Sequence, residues 1–129
     1  MVSSLPRPTS SLISLLAVLL LTTPALAAPE KWAADIAKFT AADAAHPPAV
    51  NAVVFVGSSS IRLWPTIAED FPGVITINRG FGGSEMADSV FYADQIVLPY
   101  KPRTVVVYAG ENDLAAGKSP ETVLADFQA

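Results

Sequence analysis

The stretch "VVFVGSSSIRLW", residues 53–64, decides the fold class. Four apolar residues, three of them β-branched, run into Gly57 and are followed by three serines and a segment with helical character. A continuous β-branched run is typical of a central parallel strand that is covered on both faces. Proteins of the α/β class bind ligands beyond the carboxyl ends of such strands. One of the serines is therefore a candidate nucleophile, and the alternative is that they only form a turn and cap a helix.

Further strands and helices alternate along the rest of the chain. Residues 74–78 ("VITIN") and 104–110 ("TVVVYAG") predict two more strands, and residues 111–118 ("ENDLAAGK") predict a loop. Helices are predicted at 30–46, at 60–71 with an interruption at Pro65, at 85–97 with Ser84 as cap, and from Ser119-Pro120 onward. This order predicts an α/β fold with a parallel sheet.

The first 27 residues have the pattern of a secretory signal peptide. Arg7 precedes an apolar run at 12–21, and Ala25-Leu26-Ala27 forms a small-x-small cleavage site. A membrane anchor is the competing interpretation, but a run of about 10 residues is shorter than the roughly 20 that a spanning helix needs. We expect cleavage after Ala27, a secreted or periplasmic location without stable membrane insertion, and one partial domain over residues 28–129.

Composition excludes several classes of function. The chain carries 8 Lys and Arg against 12 Asp and Glu, a formal net charge of −4. Nucleic-acid binding needs a basic face, so we expect no nucleic-acid partner. The absence of cysteine excludes disulfides and a cysteine metal site, and a single histidine excludes a histidine-rich one. We therefore expect no metal and no cofactor.

Three polar loops follow the three predicted strands: "GSSS" (57–60), "RGFGG" (79–83) and "GEND" (110–113). Loops that follow parallel strands lie at the same edge of a sheet. A serine, a glycine whose N–H is unobstructed and an asparagine amide are the groups that acyl transfer needs, as nucleophile and as donors to the developing oxyanion. Gly80-x-Gly82 is followed by Glu85 instead of the third glycine of a dinucleotide fingerprint, which disfavours nucleotide binding.

On these motifs the chain resembles the SGNH hydrolases, also called the GDSL-type esterase family, over about residues 50–129. The family's G-D-S block is matched by residues 57–59, with Ser58 in place of the usual aspartate. Its N-x-G-x-x-G block is matched by residues 78–83, and its G-x-N-D block by residues 110–113. The resemblance implies a flavodoxin-like three-layer sandwich with strand order 2-1-3-4-5, of which only the first three strands are present.

The resemblance also implies a role for individual residues. Ser59 is the implied nucleophile, and the N–H groups of Ser59 and Gly83 form the oxyanion hole together with the side chain of Asn112. Asp113 is expected to brace the third loop and Ser60 to start the helix. Because Ser58 occupies the family's aspartate position, the loop of the nucleophile is expected to lack its customary acidic partner.

The general base is missing from the sequence. The family carries it as a histidine in a late D-x-x-H block, which this chain lacks; its one histidine, His46, precedes the first strand and is predicted to lie at the opposite edge of the sheet. We therefore expect the N-terminal fragment of a serine esterase for small-molecule esters, inactive by itself. The alternative is a non-catalytic ligand-binding module on the same fold.

Overall fold

The computed structural model describes residues 30–129, so the predicted signal peptide lies outside the described residues. The strands are β1 (Val53–Gly57), β2 (Thr76–Gly80) and β3 (Thr104–Tyr108). The α-helices are α1 (Ala33–Ala45), α2 (Ser59–Arg62), α3 (Ile67–Asp70), α4 (Met86–Phe91), α5 (Ala93–Ile96), α6 (Glu111–Ala115) and α7 (Pro120–Gln128). Single 3₁₀ turns cover Glu30–Trp32 and Leu98–Tyr100. None of the helices in residues 30–129 has the length and apolar character that crossing a membrane requires.

The three strands form one parallel sheet in the order β2-β1-β3. Gly57, the last residue of β1, lies opposite Gly80 at the end of β2 and opposite Tyr108 at the end of β3. The predicted α/β class is confirmed, and the strand order agrees with the first three strands of a flavodoxin-like sandwich.

Both faces of β1 pack against helices, as its continuous apolar run predicts. Val54 and Val56 belong to the larger core, which includes Ile36 of α1, Tyr92 between α4 and α5, and Ile96 of α5. Val53 and Phe55 point to the other face, where they pack with residues of α2 and α3. The helices therefore lie in two layers with the sheet between them.

Strand β2 begins two residues later than predicted and continues through Arg79 and Gly80, which were predicted to be loop. The Arg79 side chain is buried, donating from Nε to the Tyr100 hydroxyl at 2.8 Å and from Nη2 to the Asp43 carboxylate. A buried charge is tolerated when it is paired and hydrogen-bonded. This pairing allows the strand to extend into the polar motif. Burial and the Asp43 carboxylate raise the pKa of Tyr100.

The predicted helix at 85–97 is divided into α4 and α5 at Tyr92, and Ser84 does not cap it. Glu85 occupies the N-cap position and forms a capping box with Asp88. The hydroxyl of Ser84 is fully buried and has no hydrogen-bond partner among residues 30–129. A capping box satisfies two free N–H groups of a helix start, which explains why the cap lies one residue further on.

Two helices begin earlier than the sequence indicates. Ser59, and not Ser60, is the first residue of α2, with Ser58 as its N-cap. The predicted loop at 111–118 contains α6, which starts at Glu111 after a left-handed Gly110 (φ +110°). Acidic side chains in a first helical turn interact favourably with the helix dipole, and Glu111 and Asp113 both occupy that turn of α6.

Candidate active site

All three polar loops lie at the carboxyl edge of the sheet, where the first two include the last strand residues and the third follows β3. Phe81 donates its N–H to the Gly57 carbonyl at 3.0 Å, which connects the second loop to the first. Gly80 approaches the backbone of α2 so closely that an added Cβ would lie 2.2 Å from the Arg62 nitrogen. Glycine is therefore required at this position for the second loop to pack on α2.

The three serines of the first loop differ in exposure. Ser58 is fully buried, Ser59 is half-buried and Ser60 is exposed. Ser59 is the first residue of α2, where a backbone N–H has no partner within the helix. Among the described residues, no carbonyl accepts a hydrogen bond from that N–H. The predicted nucleophile thus lies at the sheet edge with its N–H free to act as a donor.

Asn78 and Gly83 shape the second loop. The Asn78 side chain accepts from the Gly80 N–H at 2.9 Å and donates to the Ile61 carbonyl at 2.7 Å, which fixes the loop against α2. Gly83 is exposed and has φ +76°, a left-handed conformation that residues with a Cβ rarely adopt. The position predicted as an oxyanion donor therefore presents its backbone to solvent.

Asn112 connects the third loop to the second. Its Nδ2 donates to the Ser84 carbonyl at 2.8 Å, one residue beyond Gly83. A side-chain amide has two N–H donors. One of them holds the loop contact, and the second is free to donate to a ligand. The structure thus joins the loops that carry Asn112 and Gly83.

Asp113 braces the third loop, the role predicted for it. Its fully buried carboxylate accepts from the Met86 N–H at 2.8 Å and from Lys118 Nζ at 2.9 Å. Lys118 also contacts the carboxylates of Glu85 at 2.9 Å and Asp126 at 3.2 Å. Its bonds to Asp113 and then Glu85 raise the pKa of Lys118. This lysine links the starts of α4 and α6 to α7, and no local pattern in the sequence revealed it.

Glu111 provides a contact that the sequence interpretation missed. The buried Ser58 hydroxyl donates to Glu111 Oε1 at 2.6 Å, across 53 positions of sequence. Ser58 occupies the position where the family has an aspartate, and the first loop was expected to lack this customary acidic partner. The aspartate is absent, but Glu111 of the third loop places a carboxylate against Ser58. The sequence contains one indication of this pair: a serine replaces the aspartate of the first loop, and an acidic residue lies in the third loop at the same sheet edge.

His46 does not belong to this edge. It is exposed and follows α1, where its N–H donates to the Ala42 carbonyl at 2.8 Å. The next residues, Pro47 and Pro48, line a cavity with Tyr100, which precedes β3, so this region lies at the amino end of the strands. In residues 30–129, no three side chains of the metal-ligating types cluster in a way that could hold a metal ion.

Comparison with known proteins identifies a fold relative. No family model and no curated protein matches the chain. Among solved structures, the chain is similar to a protein from Streptococcus pneumonia described as a "putative platelet activating factor", with a TM-score of 0.66 and 15% sequence identity. The match covers 78% of this chain and 47% of that one, so this chain spans about half the length of its structural neighbour. A likeness at this identity shows the fold alone.

Proposed function

We propose that this chain is the N-terminal part of an exported serine ester hydrolase of the SGNH type that acts on small-molecule esters. The observation that carries the proposal is the linkage of the three loops at one sheet edge. The Asn112–Ser84 hydrogen bond joins the third loop to the second, and the Ser58–Glu111 hydrogen bond joins it to the first. These contacts support a site in which Ser59, Gly83 and Asn112 act together.

The proposed reaction begins with attack of the Ser59 hydroxyl oxygen on the ester carbonyl carbon. The hydroxyl proton passes to a general base, and negative charge develops on the carbonyl oxygen. The N–H groups of Ser59 and Gly83 and the second N–H of the Asn112 amide would stabilise that charge. The base then returns the proton to the departing alcohol, and water hydrolyses the acyl-serine in a second round of the same chemistry.

In this proposal the general base comes from outside residues 30–129. A serine hydroxyl requires such a base at neutral pH, usually a histidine oriented by a carboxylate. The exposed His46 lies at the amino end of the strands and is unsuited to the task. We infer that a D-x-x-H block C-terminal to Ala129 supplies the base, as it does in the family that the motifs resemble.

Labelling with a fluorophosphonate tests the proposal on the protein expressed from its complete reading frame, called the complete protein below. An activated serine displaces fluoride from this reagent and becomes phosphonylated. We expect one adduct, located at Ser59 by tandem mass spectrometry of the digested protein. Ser60→Ala is the matched control and retains the label, whereas Ser59→Ala loses it. An unlabelled protein would favour the ligand-binding module, and an adduct at Ser60 would show that the motif alignment is shifted by one residue.

Replacing Asn112 with alanine should lower kcat for ester hydrolysis by about 10²–10³, the usual effect of removing one oxyanion donor. KM should change little, because the donor contributes mainly in the transition state. The measurement is steady-state hydrolysis of a short-chain nitrophenyl ester by the complete protein. Gln95→Ala removes an exposed amide on α5 and serves as control. An unchanged kcat in a folded Asn112→Ala variant would exclude the amide from the oxyanion hole.

A further inference from the structure

The Ser58–Glu111 pair departs from the usual chemistry of a helix start. A serine at an N-cap normally accepts from a free N–H of the first helical turn. Ser58 is the N-cap of α2, yet its side chain makes no such bond. Its hydroxyl instead donates at 2.6 Å to Glu111 Oε1 while remaining fully buried. The first loop therefore uses its cap residue to bind another loop, and the Ser58 side chain does not bond the N–H groups at the start of α2.

Both residues of the pair are sequence neighbours of residues in the proposed active site. Ser58 immediately precedes Ser59, and Glu111 immediately precedes Asn112. Each partner is thus one peptide unit away from a group proposed to act on the substrate. Among the described residues, this bond is the side-chain hydrogen bond that connects the first loop to the third. The side chain of Asn112 itself donates to the backbone carbonyl of Ser84, the residue after the second loop.

We infer that Glu111 is a positioning residue for ester hydrolysis: through Ser58 it fixes the distance between the Ser59 nucleophile and the Asn112 donor. The inference rests on the proposed function. The bond is short, and its donor hydroxyl is fully buried although Glu111 itself is exposed, so water cannot replace Glu111 on the Ser58 side without a change in packing. Glu111 is itself held at the first position of α6, where a carboxylate is favoured by the helix dipole. The pair therefore joins the starts of two helices that carry the reacting groups.

A positioning role predicts a loss in turnover and not in substrate binding. A displacement of about 1 Å at a reacting group costs on the order of 10²-fold in rate. We expect Glu111→Ala to lower kcat by about tenfold to hundredfold, with KM within about twofold of the wild-type value. Glu111→Gln keeps an acceptor oxygen for the Ser58 hydroxyl, so it should retain most of the activity. Asp94→Ala, which removes an exposed carboxylate on α5, should have no effect.

Ser58→Ala removes the same hydrogen bond from its other end. We expect it to reduce kcat to the same degree as Glu111→Ala, and the double variant to show no further loss, since both changes remove one interaction. The variants are made in the complete protein, and their thermal unfolding is recorded beside the kinetics. If Glu111→Ala does not fold, Ser58→Ala and Glu111→Gln together decide the question.

The outcomes separate this inference from the proposed function. If the wild-type complete protein shows no hydrolysis that depends on Ser59, the proposed function is wrong and the inference is overturned with it. If the wild type is active and folded Glu111→Ala has an unchanged kcat, the inference alone is overturned, even if the variant unfolds at a lower temperature. Independent, additive losses in Ser58→Ala and Glu111→Ala, or a Glu111→Gln variant as impaired as Glu111→Ala, would also overturn it.

Discussion

Ester hydrolysis by the complete protein is expected to disappear when Ser59 is replaced by alanine. The variant removes the oxygen that would form the acyl-enzyme, and losing a member of such a catalytic unit costs on the order of 10⁶ in kcat. The oxyanion donors that remain cannot compensate, because they stabilise charge that develops only after attack. The rate of nitrophenolate release from a short-chain nitrophenyl ester measures the effect.

The neighbouring serines provide the controls for this prediction. Ser60 is exposed on α2, so Ser60→Ala should leave the rate close to the wild-type value. Ser58→Ala should show only the partial loss expected for the broken bond to Glu111. If Ser58→Ala or Ser60→Ala abolished hydrolysis and Ser59→Ala did not, the nucleophile would be a different residue of the same loop.

The sequence predicts the architecture because the strand signals are local. The apolar run at 53–56 is buried on both faces of the sheet, as its continuous β-branched pattern indicates. The strand at 74–78 was placed less accurately, since Arg79 belongs to β2 in spite of its charge. Its burial depends on Asp43 and Tyr100, which lie 36 and 21 positions away in the chain. A local pattern carries no information about such partners.

In the candidate site, too, local sequence patterns do not reveal contacts between residues that are distant in the chain. The motifs predict which loops share the carboxyl edge, because that follows from strand order and direction alone. The side-chain contacts between those loops were missed, since each joins residues that no periodic pattern relates. Ser58 with Glu111 is one example, and Lys118 with Glu85, just outside the loops, is of the same kind. Such contacts connect residues that are distant in the sequence, so they depend on long-range packing that local patterns do not reveal.

Residues 28–129 expressed alone are expected to be inactive towards the ester. The one histidine of the sequence is His46, which is exposed after α1 and lies away from the three loops. Without a base the Ser59 hydroxyl keeps its proton, and removal of one triad member typically lowers kcat on the order of 10⁶-fold. The assay compares residues 28–129 with the same chain carrying Ser59→Ala. Turnover that depends on Ser59 would show that a base lies within these residues, and His46 would then become the first candidate.

The same chain is also expected to fold poorly, for a separate reason. Strand β3 pairs only with β1 in the described sheet, and Val105, Val107 and Tyr108 on it are 40%, 38% and 55% exposed. An apolar edge strand with unpaired N–H and C=O groups is a template for aggregation. Size-exclusion chromatography should therefore show aggregates or low recovery. The Val105→Lys variant should have a larger soluble fraction, because a charge on an edge strand opposes pairing with another chain. It should remain inactive, since the substitution supplies no base. A wild-type chain that is a soluble monomer would contradict this prediction, while an inactive but soluble Val105→Lys variant would separate the exposed edge from the missing base as independent causes.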